Sequence, residues 1–383
     1  MSADPLSALI AAAARRAGTE DFGTDEFRPA LLHPVVSIAN ESGVSIKVMP
    51  LIRERLVQAL TRRARLVEFV RRHPEVREVP LADPIFVTGL PRSGTTMLHN
   101  LLARHPGLRA PLLWEMFALI PPDEKRVTEA RWREFHIQRA ERLVQDMQRA
   151  ELTKIHPVSP HWPDECSWLF RNGFATLIEA LRFRIPTYAR WLLEADMEPH
   201  YRFYRLQLQV LQWRHRHSPG TRLVLKDPSH LWNLTALRKV FPQARILLLH
   251  RRLEETLPSL ASLCTHLRRA VGCTVDLGSV GPYCLDLVEP ALTSLPAARR
   301  TIGDDAVLDV AYTDLVAAPR QTLGAILAWL GCARDDAALD ASLTWLAEHP
   351  QHRAGRHEYT LEQYGLDSAS LRQRFGDQMF TRG

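Results

Sequence analysis

With 383 residues, the chain is long enough for one large domain or two smaller ones, with a sizeable core. Its 46% hydrophobic and 24% charged residues exclude a disordered or fibrous chain, and a net charge of +6, with basic residues dispersed and no recognition motif, speaks against a nucleic-acid binder. Arginine dominates over lysine, which suits an anionic ligand and equally fits a coding bias. The five cysteines, Cys166, Cys264, Cys273, Cys284 and Cys332, show no CxxC and no metal-type spacing. An odd count, with no signal-peptide pattern and no transmembrane span, predicts reduced thiols in the cytoplasm; peripheral membrane contact stays open.

Residues 1–80 predict helices. "LSALIAAAARRAG" stops at Gly18, and "VMPLIRERLVQALTRRARLVEFVRRHP" places Leu56, Leu60, Val67 and Val70 on one face before His73-Pro74. Its basic face predicts a solvated surface. "PIFVTGL" is a strand candidate, followed by a glycine loop and the helix "TTMLHNLLARHP". Strand, loop and helix form the phosphate-binding unit of an α/β fold. Residues 125–217 read as mostly helical. Three further strands are expected at "RLVLKDP", "ARILLLHRR" and "AVLDVAY", and a helix over Pro319–Gly331. The alternation predicts a P-loop-like three-layer α/β fold, its mainly parallel central sheet flanked by helices. A helical region over 1–80 is expected to pack on a core domain over 81–383, with a helical acceptor-site insertion at about 110–217.

Between Gly89 and Thr96 the loop reads "GLPRSGTT". The glycines allow a tight turn, and the helix that follows turns its N–H groups toward the loop. Arg92 adds a fixed charge, and Ser93, Thr95 and Thr96 add hydroxyls. Thr95 stands where nucleoside-triphosphate loops keep lysine, and "ILLLH" ends in His250 where a magnesium-binding acid is wanted. A metabolite kinase with a variant loop, and a non-catalytic anion-binding module, are the rival readings.

"LPRSGTT" resembles the 5′-phosphosulfate-binding loop of sulfotransferases that use 3′-phosphoadenosine 5′-phosphosulfate (PAPS). The likeness spans most of the chain and leans toward a bacterial branch with a helical N-terminal region. It implies PAPS as donor, a small hydroxyl acceptor and no metal. By that resemblance Pro91, Arg92, Ser93, Gly94, Thr95 and Thr96 hold the donor's 5′ end, and Arg251 and Ser259, eight residues apart, hold its 3′-phosphate. Arg252 and Leu253 replace the family's usual Asp or Asn and Pro, so Arg252 is a rival for the phosphate. "YTDLVAAP" resembles the family's segment that sets a tyrosine beside adenine. Tyr312 is either that residue or a core tyrosine. In "HRAGRHEY", Arg353 and Arg356 resemble a terminal stretch that closes over the 3′-phosphate; a surface loop is the alternative.

Sulfuryl transfer needs a base, a charge stabiliser and tight positioning. The resemblance gives Arg92 and Lys226 the leaving group. For the base it offers His230, with an ordinary pKa near neutrality, and Glu115 in "LLWEMF", whose apolar neighbours predict a raised pKa. Glu115 is favoured, because "KDP" and "RSGTT" lean toward the tyrosylprotein branch, which uses a glutamate. His215 and His217 do not share a helix face and read as a solvated patch, not a metal site. Trp114, Trp162, Trp168 and Phe174 suggest an apolar alcohol or phenol as acceptor, and charged groups nearby would equally serve a sugar.

Overall fold

Residues 4–122, 127–154, 156–215, 221–349 and 360–376 are described by a computed structural model. The four expected strands form as β1 (Ile85–Gly89), β3 (Arg222–Lys226), β4 (Arg245–His250) and β5 (Val307–Ala311). A two-residue strand, β2 (Leu108–Arg109), joins them. The order is β2-β3-β1-β4-β5, and every pairing is parallel. Strands buried on both faces read as continuous apolar runs, which is why "IFV" and "ILLL" lack alternation.

The pleat still sorts the side chains. Ile85, Val87, Val224 and Leu247 pack with Leu98, Leu101 and Leu102 of the helix Thr95–Leu102, and with Leu323, Ile326 and Leu327 of the helix Pro319–Trp329. Phe86, Leu225, Ile246 and Leu248 face the other way, into a larger core shared with the helices Leu253–Ala270 and Leu277–Ile302. The result is the three-layer α/β arrangement. Parallel register sets the functional edge: Val87 lies beside Lys226, Gly89 beside Leu249 and His250 beside Ala311. Four strand ends therefore open on one crevice, where ligands bind in such sheets.

The N-terminal helices Ser7–Ala17, Phe27–Glu41 and Met49–Arg72 contribute Leu9, Phe27, Leu31 and Leu60 to the larger core. One expectation needs correcting. The basic face of Met49–Arg72 is not uniformly solvated, because Arg63 is fully buried. Its guanidinium lies 4.7 Å from the Phe27 ring centre and 4.0 Å from that of Phe203. It donates to the Phe22 carbonyl at 2.7 Å, the Thr24 carbonyl at 3.1 Å and Glu26 at 2.6 Å. A lone buried charge would be costly, and here two aromatic faces, three donated bonds and a counter-charge offset that cost, although the Nη1 group is buried without a partner. No helix among the described residues is long and apolar enough to cross a membrane.

Arg63→Ala leaves Glu26 and two carbonyls without their donor. It is expected to cost about 3–5 kcal/mol in urea unfolding; a loss under about 1 kcal/mol would show that this residue does not tie the N-terminal helices to the core.

Candidate functional site

The loop between β1 and the helix Thr95–Leu102 is shaped by two positions that reject a side chain. At Gly89, φ is 152°, and a Cβ would stand 2.5 Å from the Leu249 carbonyl oxygen and 2.7 Å from Ser93 Oγ. At Gly94, φ is 99°, and a Cβ would meet the Tyr312 ring at 2.6 Å. Arg92, with φ 76°, takes a left-handed conformation that costs a non-glycine residue about 1–2 kcal/mol. Ser93 is 1% exposed, and its hydroxyl has no hydrogen-bond partner. The cradle thus holds backbone strain and a buried, unsatisfied hydroxyl, at a helix start whose first N–H groups lack intrahelical acceptors. Those are the properties of an anion site.

The end of β3 supplies the second wall. Lys226 is fully buried, and its ammonium donates to Thr96 Oγ1 at 3.0 Å and to Glu165 at 2.6 Å. Glu165 arrives because the inserted chain docks on β3: the Cys166 N–H donates to the Lys226 carbonyl at 2.9 Å. Burial pushes the Glu165 carboxyl up, but the Lys226 charge and hydrogen bond outweigh it and hold it below the usual range. Next to it Asp227 accepts from the Ser229 N–H at 2.9 Å, while its other oxygen is buried without a partner. Burial and the Glu165 charge raise Asp227 to about 7. The Thr88 hydroxyl donates to the Asp227 carbonyl at 3.0 Å, locking β1 to this turn. Glu165 is the residue that sequence reasoning missed; "PDECSW" carries no spacing that ties it to the loop.

The ends of β4 and β5 supply the third wall. Arg251 donates to the Arg92 carbonyl at 3.2 Å and to Glu255 at 2.9 Å, and lies 4.3 Å over the Tyr312 ring. Arg92 Nε donates to Ser259 at 3.0 Å. The loop and the Arg251–Ser259 pair, assigned on sequence to opposite ends of one ligand, therefore sit in direct contact on one face. The rival Arg252 turns to solvent and pairs with Glu254 at 2.6 Å. Tyr312 opens the helix Tyr312–Ala317 and is only half-buried, with its ring against Gly94. Arg353 and Arg356 lie outside the described residues. So does His217, while His215 bonds Glu115. Among the described residues, no group of three or more His, Cys, Asp or Glu could hold a metal.

The model of the sulfotransferase family matches residues 84–336, from the start of β1 past β5. The chain belongs to the sulfotransferase family. An omega-hydroxy-beta-dihydromenaquinone-9 sulfotransferase of Mycobacterium tuberculosis is 27% identical over 312 residues, 76% of this chain and 74% of that protein. The solved sulfotransferase STF1 of the same species is 29% identical, with a TM-score of 0.81 over 97% of this chain and 98% of that one. STF9 of Mycobacterium avium is 26% identical, with a TM-score of 0.82 over 99% and 97%. The protein is accordingly a transferase, and the kinase alternative finds no support.

The surroundings of both base candidates of this sulfotransferase differ from those the sequence suggested. Glu115 is buried, but its pKa is not raised. It caps its own short helix by accepting from the Leu112 N–H at 2.8 Å, and it takes Arg109 at 2.7 Å and His215 at 2.9 Å. Burial pushes it up, yet the His215 bond, Arg109 and the backbone bond prevail and bring it to about 2. His230 is fully buried among Phe86 and Phe170, with Nδ1 2.7 Å from the Tyr201 hydroxyl. Desolvation takes it from near neutrality to about 3. Of the expected aromatics, Trp114 and Trp168 share one apolar cluster, while Trp162 and Phe174 pack elsewhere. Trp114 packs on Trp132, Trp162 on Trp345 and Phe174 on Phe27. Only Trp168 stands by the site, donating to Asp164 at 3.1 Å. A narrow apolar cleft does open beside Ser229, between Phe170, Leu177, Leu192, Met197 and Trp232.

Glu115→Gln is expected to cost about 3 kcal/mol near neutral pH, by stranding Arg109. The depressed carboxyl stabilises the fold above its ordinary value near 4.5 and loses that contribution as pH falls toward about 2. Urea midpoints of the variant should therefore converge on those of the parent across that window; a constant offset would show that the carboxylate charge is not what is held.

Proposed function

We propose that the enzyme moves a sulfuryl group from PAPS to a hydroxyl of a small, largely apolar acceptor, by in-line transfer without a metal. The observation that carries this reading is the contact between Arg92 and Ser259, which joins the loop to the Arg251 segment on one face. The residues fit such a donor. A cradle closed to any Cβ, the buried unpartnered hydroxyl of Ser93 and two arginines suit a phosphate-bearing ligand. When bound, PAPS supplies the activated sulfuryl group and an adenylate leaving group.

In this reading Pro91, Arg92, Ser93, Gly94, Thr95 and Thr96 hold the donor's 5′ end. Arg251 and Ser259 hold its 3′-phosphate, and Tyr312 lies beside its base, with Arg353 and Arg356 as the closing residues. Arg92 and Lys226 neutralise the charge that develops on the leaving oxygen; one such donor is worth about 3–4 kcal/mol in comparable oxyanion sites. Glu165 replaces Glu115 and His230 as the proton acceptor. Lys226 holds it depressed at rest. As Lys226 turns toward the new negative charge, Glu165 loses its counter-ion while staying close, and its proton affinity rises where the acceptor hydroxyl must be deprotonated.

Two features support an apolar acceptor. The cleft beside Ser229 is lined by Phe170, Leu177, Leu192, Met197 and Trp232. A relative's name specifies an omega-hydroxylated menaquinone, a hydroxyl on an apolar body. We also propose that the helices over 1–80 and about 110–217 shape the acceptor side of a single domain, and that the enzyme works in the cytoplasm.

Calorimetry with 3′-phosphoadenosine 5′-phosphate, the desulfated donor, tests the reading. The parent should bind it without Mg²⁺, and Arg251→Ala should weaken binding about 10–100-fold, the effect of one lost charge-assisted contact. Absence of binding by the parent would overturn the proposal. In turnover with labelled PAPS, Lys226→Ala and Glu165→Gln should each lower kcat about 10²–10³-fold; full activity of Glu165→Gln would return the base to another group.

A further inference from the structure

A second basic assembly lies behind the transfer site, on helical elements that the donor does not need. Arg55 and Arg62 stand seven residues apart on one face of the helix Met49–Arg72. Arg139 comes from the helix Glu129–Arg149, Arg171 follows the short helix Ser167–Phe170, and Arg182 ends the helix Leu177–Arg182. Four helices thus bring five guanidinium groups within electrostatic reach of one another.

Their counter-charges do not match. Glu179 pairs with Arg182 at 3.0 Å and stands 3.9 Å from Arg171 Nε. Asp146 acts on Arg55 but pairs with Arg149 at 3.6 Å. Arg62 bonds, among the described residues, only the neutral Asn172 amide oxygen, at 3.0 Å. Among the described residues, the side chains of the exposed Arg55 and the half-buried Arg139 make no hydrogen bond or ion pair, and Arg171 Nε is buried without a hydrogen-bond partner. Burial, and then the neighbouring arginines, lower Arg62 to about 10 and Arg171 to about 9. A guanidinium keeps its proton in a protein, so these charges sit desolvated and beside one another, a cost that a bound anion would offset. Arginines that merely cross-link helices come with carboxylates; these outnumber theirs.

The assembly also has an address. The Arg171 guanidinium lies 4.1 Å over the Trp168 ring, and Arg139 lies 5.8 Å from the ring of Phe117, which packs on Trp168 at 4.9 Å. The Trp168 indole N–H donates to Asp164, the neighbour of Glu165. One indole therefore separates the cluster from the Lys226–Glu165 pair.

We propose that Arg62, Arg139 and Arg171, supported by Arg55 and Arg182, bind an anionic group of the acceptor, a carboxylate or phosphate, while its hydroxyl faces Glu165. The inference rests on the sulfotransfer reading and narrows it to acceptors that are apolar alcohols bearing an acid.

The test compares octanol, hydroxyoctanoate and hydroxyoctyl phosphate, by calorimetry on the protein and by turnover with labelled PAPS. The acids should bind at least tenfold more tightly than octanol, and any turnover should show the same preference in KM. Arg139→Gln and Arg55→Gln should erase the preference, and Arg139→Lys should keep most of it. Equal binding of the three compounds, or a preference that survives in Arg139→Gln, would overturn the proposal. Binding of 3′-phosphoadenosine 5′-phosphate is measured in the same samples. Its failure counts against the donor site, whereas acid preference is scored with or without the nucleotide.

Discussion

The site depends on the buried pair between Lys226 and Glu165, 2.6 Å apart beneath the first turn of the loop helix. A fully buried ammonium is tolerable only with close counter-charge and hydrogen bonding. Lys226 obtains its counter-charge from Glu165 of the inserted chain and a hydroxyl acceptor from Thr96 of the loop helix, which take two of its three N–H donors. The pair therefore fixes where the insertion docks. It needs the Cys166 N–H on the Lys226 carbonyl, and it needs β1 and β3 in the register that sets Val87 beside Lys226. Shifting β3 by one residue would point Lys226 into the opposite layer.

The donor-side elements were legible in the sequence because their constraints are local. Four strands read as apolar runs, and Gly89 and Gly94 read as a turn that needs glycine. The structure adds the reason, the Leu249 carbonyl and the Tyr312 ring, which are neighbours distant in sequence. β2 was not legible: two residues carry no periodicity, and its pairing is decided by β3.

The surroundings of the base candidates were misread where only tertiary contacts decide. Apolar neighbours of Glu115 suggested desolvation alone, yet Arg109 and His215 converge on it from chain far apart. His230 was read as a free imidazole, yet Phe86, Phe170 and Tyr201 enclose it. Glu165 was invisible for the same reason, since its partner Lys226 lies 61 residues away. The basic face of Met49–Arg72 looked like solvent-exposed charge, and periodicity gave no sign that Arg63 would turn inward or that Arg62 would meet chain from the insertion.

At rest, each cation of the crevice is held by a partner it can exchange. Arg92 donates to a neutral hydroxyl, Ser259, and Arg251 shares itself between a carbonyl and the exposed Glu255. Such contacts orient a guanidinium cheaply, because a neutral or solvated acceptor is given up at less cost than a buried carboxylate. Lys226 is the exception, with a buried carboxylate as its partner. Moving it is expensive unless a stronger negative charge appears beside Thr96. In the proposed mechanism its displacement is coupled to charge development in the loop, so that Glu165 gains basicity as the leaving oxygen gains charge.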